Sequence, residues 1–337
     1  MSCVTEVIKK YRKIARCDIM GKKDTVTKAY MSKNEIFADA FNFLIYEGEQ
    51  VIKSEELKEL DSTEIVLPYG QGADEPKQKF RDVLKLWSAK QDENAIYVIF
   101  GIENQDKVHY AMSVKNMLYD AMNYAKQVEN AKKSYKENKV KLSNEEFLSG
   151  FRKEDRLFPV ITLTVYFGAE KWDGAKSIHE MLSIKNKRLL KFVPDYKLNL
   201  ITPESIKEED FEKFKTGLGM AMQYIKHQDD DVADLIIKNK KFEKLDRETA
   251  NLINTVTGSK LEFEETKGEV NMCRALENFR KKAKQEGKIE GEKSGENKMY
   301  QLMKYLIKDN RKEELEEIEK NEQKRQELYK FYGIVTE

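Results

Sequence analysis

The sequence is poor in cysteine and histidine, with three of each among 337 residues. Cys3, Cys17 and Cys273 form no Cys-x-x-Cys pair and no Cys/His spacing of the kind that binds zinc. An odd and scattered set of cysteines argues against a disulfide framework and favours a reduced, cytoplasmic setting. The longest apolar stretches, near 95–102 and 160–167, are far too short to cross a bilayer, so we expect no membrane partner.

Net charge is also nearly absent, since 61 Lys and Arg against 60 Asp and Glu leave a formal net charge of +1. This excludes a strong field over the whole surface that would steer the protein toward nucleic acid, and any such contact has to use a local basic patch. One basic cluster lies in residues 1–20, which we predict to form a helix. Charged residues make up 36% of the chain, a share that indicates long, solvated helices.

Hydrophobic periodicity predicts an α/β domain over residues 21–200. The predicted elements are a helix over Lys33–Tyr46, a loop over 61–76, strands over Lys79–Trp87 and Ala95–Glu103, a helix over Tyr110–Lys139 and a strand over Pro159–Tyr166. Helix, strand, strand, helix, strand is a mixed α/β order. The apolar stripe of the longer helix is predicted to consist of Met117, Leu118, Ala121, Tyr124, Ala125 and Val128.

Strand signals fade after about residue 200. Residues 201–270 are predicted to form a helical extension, and residues 271–337 a charged helical C-terminal region. Gly287, Gly291 and Gly295 recur there at a spacing of four, and each would weaken an isolated helix by about 1 kcal/mol. They indicate either a frayed linker or a place of close helix contact or hinge motion. The C-terminal helices are also candidates for contacts in a homo-oligomer.

Two carboxylates are placed symmetrically about the turn between the two central strands. Asp82 and Glu103 are equally far from Asp92–Glu93, so an antiparallel hairpin that folds there sets them nearly opposite each other. Their Cβ atoms would then be about 5 Å apart, which allows both carboxylates to bind one divalent cation. The alternative is that both side chains lie at strand ends in solvent.

Glu103 and Gln105 point to the same face of a strand because they are two residues apart. A buried, unpaired carboxylate is energetically costly, and a metal ion is a common compensation. The two carboxylates, together with the backbone carbonyl of Asn104, make a hard oxygen site suited to Mg²⁺ or Mn²⁺. Gln105 cannot act as a base, but it can hold a water molecule by hydrogen bonds. Such a set is typical of metal-assisted phosphodiester hydrolysis.

Four stretches of the chain, in this order, resemble one known family. They are FRDVLKLW, VIFGIENQDKVHYAMSVKNMLYDAMNYAKQ, PVITLTVYFGAEKWDG and VNMCRALENFRKKAKQEGKIEGE. They look like the Rpn (YhgA-like transposase) family of recombination-promoting nucleases, which belongs to the PD-(D/E)XK superfamily, and the resemblance extends from about residue 24 to about residue 295.

The resemblance implies a restriction-endonuclease-like core over residues 21–200 that cleaves double-stranded DNA, linked to recombination or mobile elements. The family's metal-binding Asp and Glu fall on Asp82 and Glu103, and its lysine-equivalent glutamine falls on Gln105. The family often has an arginine early in the following helix, where this chain has Lys115. Lysine supplies a point charge for phosphate but no bidentate fork. The enzyme expected is therefore a Mg²⁺-dependent endodeoxyribonuclease.

Several weaker assignments accompany this site. The superfamily often adds an acid from the preceding helix, for which Glu35 and Asp39 are the candidates, although both could belong to a solvated face. Lys115 and His109 are candidates for phosphate contacts, although a plain surface histidine is an alternative. Two further hypotheses stay open: a DNA-binding, transposon-associated protein with weak or lost cleavage, and an oligomeric scaffold.

Overall fold

The computed structural model of the chain describes residues 21–61, 63–66, 77–80, 82–91, 94–184, 186–228, 232–263, 265–266 and 268–334. The basic helix expected over 1–20 and the turn at Asp92–Glu93 lie outside these residues. The chain divides into two compact units, residues 1–273 and residues 274–337. No helix in the described ranges is both long enough and apolar enough to span a membrane.

The first unit contains both helices and strands, and the described part of the second unit is helical. The strands are β1 (Leu57–Glu59), β2 (Thr63–Val66), β3 (Lys77–Phe80), β4 (Val83–Gln91), β5 (Asn94–Gln105), β6 (Val160–Tyr166), β7 (Asn199–Ile201), β8 (Leu245–Asp246), β9 (Glu265–Thr266) and β10 (Glu269–Val270). The helices are α1 (described over 21–31), α2 (Asn34–Tyr46), α3 (Met112–Glu137), α4 (Asn144–Ser149), α5 (Ile178–Met181), α6 (Lys187–Leu190), α7 (Gly217–Lys226), α8 (Val232–Lys238), α9 (Arg247–Thr257), α10 (Met272–Lys308), α11 (Glu314–Lys320) and α12 (Glu322–Phe331).

The main sheet has five strands in the order β1-β4-β5-β6-β7. The β1–β4 and β4–β5 pairs are antiparallel, and the β5–β6 and β6–β7 pairs are parallel. A parallel step needs a crossover, which the long helix α3 supplies between β5 and β6. The prediction of a mixed α/β fold with a helical C-terminal region is therefore confirmed at this level.

The predicted strand over Lys79–Trp87 is wrong as a single element. β3 ends at Phe80 and pairs with β2 in a separate two-stranded sheet, whereas β4 begins at Val83 in the main sheet. The predicted loop over 61–76 therefore contains a strand, β2. This break matters for function because Asp82 lies in it, directly before the first residue of β4.

Helices cover both faces of the main sheet. Phe41 of α2 packs on Phe100 of β5, with their ring centroids 4.3 Å apart. On the other face, Asn116 of α3 donates to the Thr164 hydroxyl of β6 at 2.9 Å. Since side chains alternate along a strand, the even-numbered residues of β5 face α2 and the odd-numbered residues face α3.

The apolar stripe predicted for α3 is wrong. Met117 is 39% exposed, whereas Asn116, Tyr119, Asp120 and Asn123 are buried. These buried residues lie on the face that packs against the sheet, which is therefore largely polar. A polar face can be buried there because hydroxyl groups of the sheet accept or donate the hydrogen bonds that it needs.

Residues 201–270 belong to the same compact unit as the sheet. The Tyr30 hydroxyl of α1 is hydrogen-bonded to the Thr249 hydroxyl of α9 at 2.8 Å. The Asp39 carboxylate of α2 accepts hydrogen bonds from the backbone N–H groups of Lys215 and Thr216, just before α7. These contacts hold the later helices against the N-terminal helices α1 and α2.

The second unit has its own apolar core. The buried members of this core come from the end of α10, from α11 and α12 and from the residues after them: Leu302, Leu306, Ile318, Leu328, Tyr329 and Ile334. Helix α10 runs without a break through Gly287, Gly291 and Gly295. The alternative that these glycines form a frayed linker is therefore wrong. A Cβ atom added at any of them would meet no heavy atom of the described residues within 4 Å.

Candidate metal-binding site at the end of the central hairpin

Asp82 and Glu103 lie at the same end of the β4–β5 hairpin. Val83 pairs with Ile102, so the next residue on each side is Asp82 and Glu103. Asp82 is not part of β4, but its side chain extends the contact between the two strands. Its Oδ2 accepts a hydrogen bond from the backbone N–H of Asn104 at 2.8 Å. The side chain thereby fixes the end of the hairpin next to Glu103.

Asp82 has a strongly shifted acidity. Burial, followed by the negative charge of Glu103, raises the pKa of its carboxyl to about 7. The Asn104 N–H and the Lys115 ammonium oppose this pKa shift but do not cancel it. A site with two neighbouring, desolvated carboxylates favours binding of a cation.

Glu103 is the most deeply buried charge in this region, with an exposed fraction of 1%. Its Oε2 lies 2.6 Å from the Nζ of Lys115, the fourth residue of α3. Its Oε1 is also buried and has no hydrogen-bond partner among the described residues. A buried carboxylate oxygen without a partner is costly, which makes Oε1 an available ligand atom.

Gln105 and Asn104 complete the end of β5. The Gln105 Nε2 donates to the Asn104 carbonyl at 2.8 Å, so the carbonyl expected to bind a metal already accepts one hydrogen bond. The Asn104 side chain is buried, and neither its nitrogen nor its oxygen has a hydrogen-bond partner among the described residues. By alternation this side chain is on the α2 face, opposite Glu103.

The two acids expected from the preceding helix are not brought to Glu103. Both are on α2, which covers the other face of the sheet. The Asp39 carboxylate is 1% exposed and is occupied by the backbone of Lys215 and by the N–H and hydroxyl of Thr216. Glu35 is exposed. His109 is half-buried, and its carbonyl accepts from the Met112 N–H at the start of α3.

A buried polar cluster beside Glu103 was missed by the sequence reasoning. Glu103 and Thr164 are paired across β5 and β6, and the Thr164 hydroxyl accepts from Asn116. Further along, the Asp120 carboxylate accepts from the hydroxyls of Thr162, at 2.5 Å, and Tyr196, at 2.6 Å. The signal that could have revealed the cluster is the i, i+4 spacing of Asn116 and Asp120, with threonines two apart on β6.

A cleft of about 610 Å³ opens beyond the carboxyl ends of β5 and β6. It begins at Asp106, the residue after Gln105, and its charged lining residues are Lys23, Lys107, Lys171, Asp106, Glu170 and Asp173. The carboxyl ends of parallel strands are a common place for a ligand cleft in α/β proteins. Three lysines and three acids leave this lining with no formal net charge, so the cleft as a whole is not the local basic patch that a nucleic-acid site would need.

The residues at the end of the hairpin fit a magnesium or manganese ion. No group of three or more His, Cys, Asp or Glu that could hold a metal ion occurs in the described ranges. The end of the hairpin offers two carboxylates, those of Asp82 and Glu103. Mg²⁺ is usually held by one or two carboxylates and keeps several waters or substrate phosphate oxygens. The partnerless Oε1 of Glu103 and the hard oxygen chemistry of both side chains suit such a site.

Comparison with known proteins gives one match. The family model described as "Putative transposase, YhgA-like" matches residues 24–252. This range includes the whole main sheet and every residue of the candidate site. No curated protein and no solved structure matches the chain.

Proposed function

Since the chain belongs to the family described as YhgA-like putative transposases, we propose that it is a metal-dependent DNA endonuclease of the PD-(D/E)XK type. The observation that carries this proposal is the pair of carboxylates at the end of the central hairpin. One of them, Glu103, is buried with an oxygen that has no hydrogen-bond partner among the described residues, and the other, Asp82, has a pKa raised to about 7. The family match supports an association with mobile elements and hence a double-stranded DNA substrate.

The reaction proposed is hydrolysis of a phosphodiester bond. The water oxygen forms a bond to phosphorus, one ester P–O bond breaks, and the leaving alkoxide takes up a proton. A bound Mg²⁺ or Mn²⁺ ion supplies charge stabilisation for the phosphate and lowers the pKa of the attacking water. The chain's own part is to hold that cation with the carboxylates of Asp82 and Glu103.

Gln105 has a positioning role in this proposal. Its Nε2 is engaged with the Asn104 carbonyl, which fixes the plane of the amide. Its Oε1 is an acceptor that can orient a water molecule, but an amide does not titrate near neutral pH and cannot take the proton. Lys115 and the lysines of the neighbouring cleft are proposed to contact phosphate oxygens. In the second unit, exposed Ile307 and Phe331 are candidates for homo-oligomer contacts.

The second candidate function is DNA binding with weak or lost cleavage. It is favoured by Gln105, because most of the superfamily has lysine there, and by the engagement of the Gln105 amide with its own strand. A single substitution of Glu103 distinguishes the two functions. It should abolish DNA cleavage if the protein is a nuclease, whereas DNA binding without cleavage does not depend on a carboxylate that holds a metal.

The test is cleavage of supercoiled plasmid by the purified full-length protein with Mg²⁺, with Mn²⁺ and with EDTA. We expect cleavage only with a divalent cation, and a loss of about 100-fold or more in Glu103→Gln, because this substitution removes the charge and keeps the volume. Glu129→Gln, on the exposed side of α3, removes the same charge and should cleave like the unmodified protein. Equal cleavage by both variants would refute the assignment, and plasmid binding without any cleavage would favour the second function.

A further inference from the structure

Lys115 is the cation that the fold supplies to Glu103. Its Nζ lies 2.6 Å from Oε2 of Glu103 and 5.8 Å from the centre of the Tyr119 ring. No other ion pair of Glu103 occurs within the described residues. Because Glu103 is 1% exposed, this ammonium offsets part of the cost of burying its charge.

The two partners differ in their freedom to move. Glu103 is near the end of β5, between two paired strands, and its side chain is almost fully enclosed. The Lys115 side chain is 21% exposed, and its ammonium is at the end of a flexible four-carbon stem, so the ammonium has a path to solvent. If one member of the pair has to yield to an incoming ion, it is Lys115.

A divalent cation on the same carboxylate would lie a few ångströms from this ammonium. Two like charges at that distance repel strongly in a desolvated site, so the ammonium and the divalent cation cannot both hold Glu103 at full strength. The ammonium would be released at the mouth of the site, where a phosphate bound to the same cation has its oxygens.

We propose that Lys115 is a resident counter-ion of Glu103, displaced when Mg²⁺ or Mn²⁺ binds and thereby made available to a phosphate. This inference rests on the proposed function only in taking Glu103 as a ligand of the divalent cation. It makes Lys115 a competitor of the cation as well as a phosphate contact. Binding of the cation then also makes the Lys115 ammonium available to the substrate.

The first test is Mn²⁺ binding by Lys115→Met, measured by calorimetry. Methionine keeps the apolar stem and removes the ammonium, so Mn²⁺ should bind about tenfold or more tightly than in the unmodified protein. The same variant should have a lower thermal unfolding temperature in EDTA and gain more from Mn²⁺, because Glu103 then has no resident cation. Lys126→Met removes an exposed lysine from the same helix and should change neither quantity.

The second test uses the unmodified protein and is independent of whether Lys115→Met folds. Acetylation of lysine amines, quantified by mass spectrometry, should be slow at Lys115 without divalent cation and several-fold faster with millimolar Mg²⁺, whereas Lys126 should not respond. Unchanged or slower acetylation at Lys115, or Mn²⁺ affinity in Lys115→Met no higher than before, overturns the counter-ion role. Both proposals fall if the unmodified protein binds no Mn²⁺. If the protein binds Mn²⁺ tightly but acetylation of Lys115 does not respond to divalent cation, only the counter-ion role of Lys115 is overturned.

Discussion

At the scale of single residues, the candidate site is defined by two carboxyl groups whose charge is not fully compensated by the groups around them. Among the described residues, buried Glu103 has one ion pair and one oxygen without a hydrogen-bond partner. Asp82 holds a proton more tightly than a surface carboxyl does. Both features destabilise the charged state of the protein, and both are relieved by a cation. Sites under this kind of strain are more often functional than structural.

The raised pKa of Asp82 predicts how stability depends on pH. The folded-state pKa of about 7 lies above the value of about 3.9 in an unfolded chain, so the folded state binds the proton more tightly. The stability that this proton contributes is fully present below about pH 4 and is lost as the pH rises through 7. Asp82→Asn should therefore be more stable than the unmodified protein at pH 8 to 9 in EDTA, by about 1–3 kcal/mol.

Urea unfolding at several pH values, followed by circular dichroism, measures this difference. Asparagine keeps an acceptor for the Asn104 N–H, so only the charge changes. Asp234→Asn, which alters an exposed carboxylate paired with Lys238, should shift stability by less than about 0.5 kcal/mol at every pH. A variant Asp82→Asn that is less stable than its parent at pH 8 would contradict the raised pKa.

At the scale of elements, the same residue type has opposite effects in different positions. Gly291 is inside the continuous helix α10, where an added Cβ meets no atom of the described residues within 4 Å. Gly258 follows the last residue of α9 with φ at +74°, a conformation that a residue with a Cβ adopts only with strain. The first glycine weakens its helix, and the second lets its helix end.

Alanine substitutions at these two glycines should therefore move stability in opposite directions. Gly291→Ala should stabilise the helical C-terminal unit by about 0.5–1 kcal/mol because alanine has the higher helix propensity. Gly258→Ala should destabilise the first unit by about 1 kcal/mol because the left-handed conformation disfavours it. Thermal unfolding of the full-length protein at 222 nm reports both, and a destabilised Gly291→Ala would indicate that Gly291 makes a close contact in solution.

At the scale of the whole molecule, Asp39 connects distant parts of the first unit. Its carboxylate on α2 receives two backbone N–H groups and the Thr216 hydroxyl at the start of α7, from a segment about 176 residues away along the chain. A buried carboxylate that accepts hydrogen bonds from three donors stabilises the fold, and its oxygens are already occupied. Sequence alone made both Glu35 and Asp39 candidates for an active-site acid, with a slight preference for Glu35.

The two acids of α2 should respond very differently to removal. Asp39→Ala leaves two part-buried N–H groups and the Thr216 hydroxyl without their acceptor and should lower the free energy of unfolding by about 2–4 kcal/mol. Glu35→Ala alters an exposed side chain and should change it by less than about 0.5 kcal/mol. Urea unfolding measures both, with Mn²⁺ binding as the accompanying control. An Asp39→Ala variant of full stability and weakened Mn²⁺ binding would return Asp39 to the candidate ligands.

The sequence by itself predicted the central elements α2, α3 and β6, the hairpin of β4 and β5 and the placing of Asp82 and Glu103 about its turn, because strand alternation and pairing are local and periodic. Only the tertiary structure decided which face of α3 is buried, since polar residues such as Asn116 and Asp120 can be inside when threonine and tyrosine hydroxyls bind them. It also decided that Asp39 serves the fold and that Lys115 reaches Glu103. The Asp39 contact joins residues about 176 positions apart. The Lys115 contact depends on how α3 packs against the sheet, and no local sequence pattern encodes either.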